Sequence, residues 1–159
     1  MFCVSLGLFP DRSAKFLFLV TIFLAVAGVA AYAQRDEVKP VFVEFKGVRL
    51  GMSADEARKK LGSPREKGDD LDLYVFNENE AVQIYYDKTK TVSAISIDFM
   101  DGGAAAPAAK DILGGEPEKH ADGSAYKLVR YPKAGYWVSY SKTAGNLPTI
   151  TITMQKIEH

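Results

Sequence analysis

One ordered series of short motifs occurs twice in this chain, and it limits the fold more than any other feature. Residues 59–67 read KKLGSPREK and residues 110–119 read KDILGGEPEK; each has Leu-Gly, then Pro, then Glu and Lys. Leu61 matches Leu113 and Tyr74 matches Tyr126 at an offset of 52, Ile84 and Tyr86 match Val138 and Tyr140 at 54, and Ile95, Ile97 and Phe99 match Ile150, Ile152 and Met154 at 55. The offset grows only where hairpin loops can take up insertions. A period of this size implies two copies of one supersecondary unit, here residues 41–99 and 100–159.

Both copies have the same grammar. In the first, Ser53-Ala54-Asp55-Glu56 is a capping box. Ala57 and Leu61 share a face, and Gly62 and Pro64 stop a helix predicted over residues 54–61. In the second, Pro107 suits a first helical turn, Ala109 and Leu113 repeat the apolar pair, and Gly114, Gly115 and Pro117 end it. Ala105 stands where Ser53 stood, so the second helix is expected to fray more. After each helix come three alternating segments rich in Val, Ile, Tyr, Thr and Phe: 71–76, 81–86 and 92–99, then 125–131, 136–141 and 149–155. Short polar turns between them imply antiparallel meanders. Residues 41–46 read as a further strand leading into the first helix. The expected fold class is α+β: two copies of a short helix plus a three-stranded antiparallel meander, with the helices packed on one face of the sheet or sheets.

Ahead of the copies, residues 16–33 (FLFLVTIFLAVAGVAAYA) carry no charge. Arg12 and Lys15 precede the run and Ala31-Tyr32-Ala33 closes it, the pattern of a signal peptide over residues 1–33, followed by a polar leader over 34–40. The alternative is an uncleaved anchor, for which eighteen residues is near the lower limit for ~30 Å of hydrocarbon. Cys3, the one cysteine, precedes the apolar run, where a lipidated cysteine would not sit. An exported, periplasmic or secreted chain without thiols after the cut is indifferent to an oxidising compartment. Twenty basic and twenty acidic residues balance, which excludes a strongly basic nucleic-acid binder.

Gly47-Val48-Arg49-Leu50-Gly51-Met52-Ser53, the helix, Leu61-Gly62-Ser63-Pro64, Tyr74 and Tyr85-Tyr86-Asp87 form a pattern that resembles the SmpA/OmlA family of small outer-membrane-assembly lipoproteins. The related β-lactamase inhibitor protein fold, a tandem of such units forming a concave sheet, is similar too. The likeness covers about residues 45–99, with a weaker copy at 104–155. It departs from the lipoprotein branch in lacking the lipidated cysteine. It implies a protein-binding module with no enzymatic activity.

The chemistry-bearing residues point the same way. His120, Asp122 and Ser124 hold the side-chain types of a triad within five residues, but Asp-Gly marks a turn and triad members converge from separate segments. Asp69, Asp70 and Asp72 lack the spacing of a calcium loop and read as solvated turn charges; no metal site or cofactor is expected. Arg58-Lys59-Lys60 reads as a solvated helix face. Strand parity places Tyr85 and Trp137 opposite Ile84 and Val138, with Ser96, Asp98, Thr151 and Thr153 around them and Lys127 at the flank. Tyr and Trp are favoured interface anchors. Unless a second layer covers them, Tyr85, Trp137, Lys127, Asp98 and Thr151 form a surface for a protein partner. The expected function is an exported, non-enzymatic interaction module of the cell envelope that uses the open sheet face. The alternatives are an envelope assembly factor anchored in the membrane by residues 16–33, and a hydrolase using His120.

Overall fold

All six alternating segments form strands within one residue of their expected bounds, because each is rich in the β-branched and aromatic side chains that fit a pleated, half-buried surface. The computed structural model describes residues 39–158; the apolar run, its small-residue end, Cys3 and His159 lie outside them. In chain order the elements are α1 (Ala54–Leu61), β1 (Glu66–Lys67), β2 (Leu71–Asn77), β3 (Glu80–Tyr86), β4 (Val92–Phe99), α2 (Ala109–Leu113), β5 (Glu118–Lys119), β6 (Ala125–Tyr131), β7 (Tyr136–Lys142) and β8 (Ile150–Lys156).

The expected α+β class, two helix-plus-three-strand copies, is corrected. The described chain is one eight-stranded antiparallel sheet in the order β1-β2-β3-β4-β8-β7-β6-β5, and only α1 exceeds a turn and a half of helix. Three physical reasons account for the difference. The chain after Pro64 is extended enough for Arg65 N–H to donate to the Leu73 carbonyl at 2.8 Å, so Glu66 and Lys67 add a short strand beside β2; Glu118 and Lys119 do the same beside β6. The second helical segment has no capping side chain: its N-cap is Ala108, not Ala105, and it runs for five residues. Finally, β4 and β8 pair with each other, Ile95 opposite Met154, Ile97 opposite Ile152 and Phe99 opposite Ile150. That pairing closes what would otherwise be two apolar strand edges.

One face of the sheet is covered. Val82, Ile84, Ile95, Ile97, Val138, Ile152 and Met154 are almost wholly buried there, under Val48, Ala57, Ile112 and Leu113. Residues 41–46 are not the expected strand. Phe45 and Val48 exchange backbone hydrogen bonds of 2.9 and 2.8 Å across a tight reversal at Lys46 and Gly47, both at positive φ. The segment acts as a strap. The Phe42 carbonyl accepts from Tyr136 Oη at 3.1 Å, while the Phe45 ring meets Phe76 at a centroid distance of 6.1 Å. The turn after β4 needs Gly103, whose φ is +68° and where any side chain would run into Ile150. At the β3–β4 hairpin, Asp87 accepts from Thr89 and Thr91 and from Lys156 Nζ at 3.0 Å, which ties the hairpin to the end of β8. Those bonds, from Thr89 first, hold its carboxyl well below the usual carboxylate range.

Of the two helices, α1 has both halves of its capping box. Ser53 Oγ accepts from Glu56 N–H at 3.3 Å and Glu56 Oε2 accepts from Ser53 N–H at 3.1 Å. Ser53→Ala should therefore cost roughly 1 kcal/mol in denaturant unfolding. Hydrogen exchange should show amides near Leu113 opening more readily than those near Leu61; equal or reversed protection would count against the cap as the cause.

Candidate functional site

The second face of the sheet carries the polar half of the four central strands, with apolar and aromatic side chains of β2 and β6 at its sides, and the register sorts it into rows. One row runs Leu71–Tyr85–Ala94–Gln155–Trp137–Arg130 across β2, β3, β4, β8, β7 and β6. The next is Leu73–Gln83–Ser96–Thr153–Ser139–Leu128, and the third Val75–Ala81–Asp98–Thr151–Ser141–Tyr126. The middle of the face is thus small, hydroxylic or amidic apart from the Asp98 carboxylate, and its flanks are apolar or aromatic apart from Arg130. Tyr85 is 36% exposed, Tyr126 49% and Val75 39%; Trp137 is half-buried. Tyr85 and Trp137 are three strand spacings apart, about 14 Å.

The hydroxyls of this face bond neighbouring polar side chains of the same face. Thr151 Oγ1 donates to Asp98 Oδ1 at 2.6 Å, Ser96 Oγ and Thr153 Oγ1 lie 3.1 Å apart, and Tyr85 Oη donates to Gln83 Oε1. Tyr85, Ser93, Ala94, Ser96, Thr153 and Gln155 line a shallow hollow of about 440 Å³. The structure therefore brings Tyr85, Trp137, Asp98 and Thr151 together on one face. It does not bring Lys127 there. Lys127 pairs with Tyr140 on the covered face, and its Nζ donates to the Glu116 carbonyl at 3.1 Å. The match of Tyr74 with Tyr126 also fails in space: Tyr74 opposite Val82 and Tyr131 opposite Tyr136 are the buried pair, while Tyr126 faces outward. Burial raises the Tyr74 and Tyr131 hydroxyls above the ordinary tyrosine value.

Sequence reasoning missed the polar anchor beneath the other face. Asp72, read as a solvated turn charge, is fully buried, and Arg58, read as part of a solvated helix face, reaches it from α1. Arg58 Nε donates to Asp72 Oδ2 at 2.7 Å and Nη2 to Oδ1 at 3.0 Å; Tyr86 Oη donates to Oδ2 at 2.7 Å and Gly68 N–H to Oδ1 at 3.1 Å. Burial alone would raise the Asp72 carboxyl, but the bonds from Arg58, Tyr86 and Gly68 outweigh it and hold the group below the ordinary aspartate value. The bond to Asp72 raises Arg58, and burial followed by the Asp72 bond pushes the Tyr86 hydroxyl far up. The one available cue was parity: Asp72 alternates with Tyr74 on a strand whose other face carries Leu71 and Leu73.

His120, Asp122 and Ser124 form the turn between β5 and β6. His120 N–H donates to the Ser124 carbonyl at 2.8 Å, and Ser124 Oγ donates to Asp122 Oδ1 at 2.7 Å. The Ser124 bonds hold Asp122 below the ordinary value. The hydroxyl is thus bonded to the carboxylate itself, and the imidazole does not stand between them. Among the described residues, no three His, Cys, Asp or Glu side chains converge as a metal requires, and no helix is long and apolar enough to cross a membrane.

Comparison with protein-family models, curated proteins and solved structures finds no match. The likeness to the SmpA/OmlA family finds no support there.

Asp72 gives a pH-dependent test of the anchor. Its folded pKa lies below its unfolded one, so the unfolded chain binds more protons between the two and stability rises with pH there. The contribution is complete above about pH 4 and is lost as pH falls through the folded value. Asp72→Ala should cost about 3 kcal/mol at neutral pH, because it removes the buried carboxylate that Arg58 pairs with and leaves only the Gly68 carbonyl and the exposed Asp55 as its partners. That cost should shrink under acid. Arg58→Met combined with Asp72→Leu should cost less than Asp72→Leu alone, measured by denaturant unfolding.

Proposed function

We propose that this chain is an exported, non-enzymatic protein-interaction module of the cell envelope, and that its partner is a protein bound on the open sheet face. The observation that carries the reading is the row Leu71–Tyr85–Ala94–Gln155–Trp137–Arg130. It places two aromatic side chains and an arginine, the residue types that dominate interface energetics, on one surface. Small polar groups between them leave room for a partner's side chains. Because the buried core lies on the other face, truncating these side chains removes contact area without opening it. The export pattern of residues 1–33 supports an encounter outside the cytoplasm. An uncut chain anchored by residues 16–33 would act at the membrane instead, and N-terminal mass analysis of the exported chain separates the two: a start at Gln34 removes the anchor.

Trp137→Ala and Tyr85→Ala should each unfold within about 1 kcal/mol of the parent and each weaken retention of a partner from the native envelope fraction tenfold or more. Leu147→Ala, at an exposed loop position outside the rows, should retain it unchanged. The indole of Trp137 should be quenched by acrylamide in the free chain and protected in the complex. An emission maximum typical of a fully buried indole, unquenched in the free chain, would remove the face from consideration.

A further inference from the structure

Both outer edges of the sheet end in two-residue strands. β1 covers β2 at Asp72 and Leu73, and β5 covers β6 at Ala125 and Tyr126. Beyond those pairs the two edges differ. On β2 the ladder is broken by a register shift between Val75 and Asn77, and Phe76 packs against Phe45 with Lys46 Nζ over its ring at 4.7 Å. Bulges and covering groups keep an edge strand from accepting another strand. On β6 there is no bulge: seven consecutive residues pair with β7 without a shift.

The direction of the β6 backbone follows from its two ends. The Ser124 carbonyl accepts from His120 N–H at 2.8 Å on the β5 side, and the Tyr131 carbonyl accepts from Gly135 N–H at 2.9 Å on the β7 side. Backbone groups alternate in direction along an antiparallel strand, so residues 124, 126, 128 and 130 aim outward. β5 reaches only Tyr126. The N–H and C=O groups of Leu128 and Arg130 are left at the open edge, and no described residue bonds them there. Such a row of unpaired groups is a template for one more strand.

Along β6 and the chain that follows it the charge has one sign, while β5 beside it carries Glu118 and Lys119. From residue 123 to 157 the sequence has five basic side chains and no acidic one. Two of the five stand on β6 itself: Arg130, exposed on the open face, and Lys127, on the covered face.

We propose that the free half of β6 receives an extended acidic segment of another protein as a ninth strand, bonded to the backbone of Leu128 and Arg130 and selected by Arg130 and Lys127. This is the strand-addition mode of recognition, in which main-chain bonds supply affinity and side chains supply selectivity. It lies in the plane of the sheet and does not rest on the open-face reading.

The test uses the full chain and three synthetic probes: an acetylated peptide of alternating Glu and Val, its Lys and Val counterpart, and the acidic peptide N-methylated at alternate amides. Residue-resolved hydrogen exchange should show the Leu128 and Arg130 amides slowed roughly tenfold or more by the acidic peptide alone. Arg130→Glu should abolish or invert the preference for acid. The proposal is overturned if saturating acidic peptide leaves both amides fast, if the N-methylated or lysine peptide slows them equally, or if Arg130→Glu leaves the preference unchanged. Vesicles of anionic phospholipid that bind this pole while leaving the two amides fast, where the acidic peptide also leaves them fast, would assign the charge to a membrane surface instead.

Discussion

The pairing of β4 with β8 is the contact on which the rest of the fold depends. Each strand carries apolar residues on one face, and Ile97 meets Ile152 at the middle of the shared ladder with Ile95–Met154 and Phe99–Ile150 on either side. Every other strand is added outward from this pair, so the order reads the same from both edges. Three or four strands on either side would bury too little to be stable alone. Joined, they present one apolar face wide enough for both helical segments and the 41–46 strap. The same pairing lines up Ser96 with Thr153 and Asp98 with Thr151 on the other side, so the core and the open face are two consequences of one register.

The two halves are built unequally around that axis. The first has a capped eight-residue helix fastened to the sheet through Arg58 and the buried Asp72. The position opposite Val138, where Asp72 stands opposite Ile84, is Val129, and no such ion pair is formed there. A buried carboxylate is costly unless its lone pairs are filled, and here four donors fill them. The second half relies on Ile112 and Leu113 packing beneath a five-residue helix. Its edge strand is also the barer one, without the bulge that interrupts β2. Whatever binds at β6 meets the half of the domain with the fewer local constraints.

The open face and the β6 edge present different chemistry. The face offers side chains: aromatics at the flanks, hydroxyls and amides between. The edge offers backbone, and charge only at its margins. Arg130 belongs to both, since its side chain ends the Tyr85–Trp137 row while its peptide groups point out of the sheet.

Much of this was written into the residue order. Runs rich in β-branched and aromatic residues determined six strands, and alternation with polar ones determined the faces of the four central strands, because strand parity is local and survives any tertiary arrangement. Ser53 and Glu56 determined where α1 begins, since a capping box involves only neighbours. Tyr85, Trp137, Asp98 and Thr151 could be placed on one face by parity. The rest was decided by partners distant in sequence. Asp72 and Arg58 look like solvated charges until α1 folds over β2, burying Asp72 wholly and Arg58 in large part. Lys127 reads as a flank of the open face until the β6–β7 register sets it beside Tyr140. The short strands β1 and β5 have no alternation to read, and exist only because β2 and β6 offer them an edge. Whether the strands make one sheet or two was settled by two apolar strand edges, 55 residues apart in sequence, whose backbone groups had to be paired.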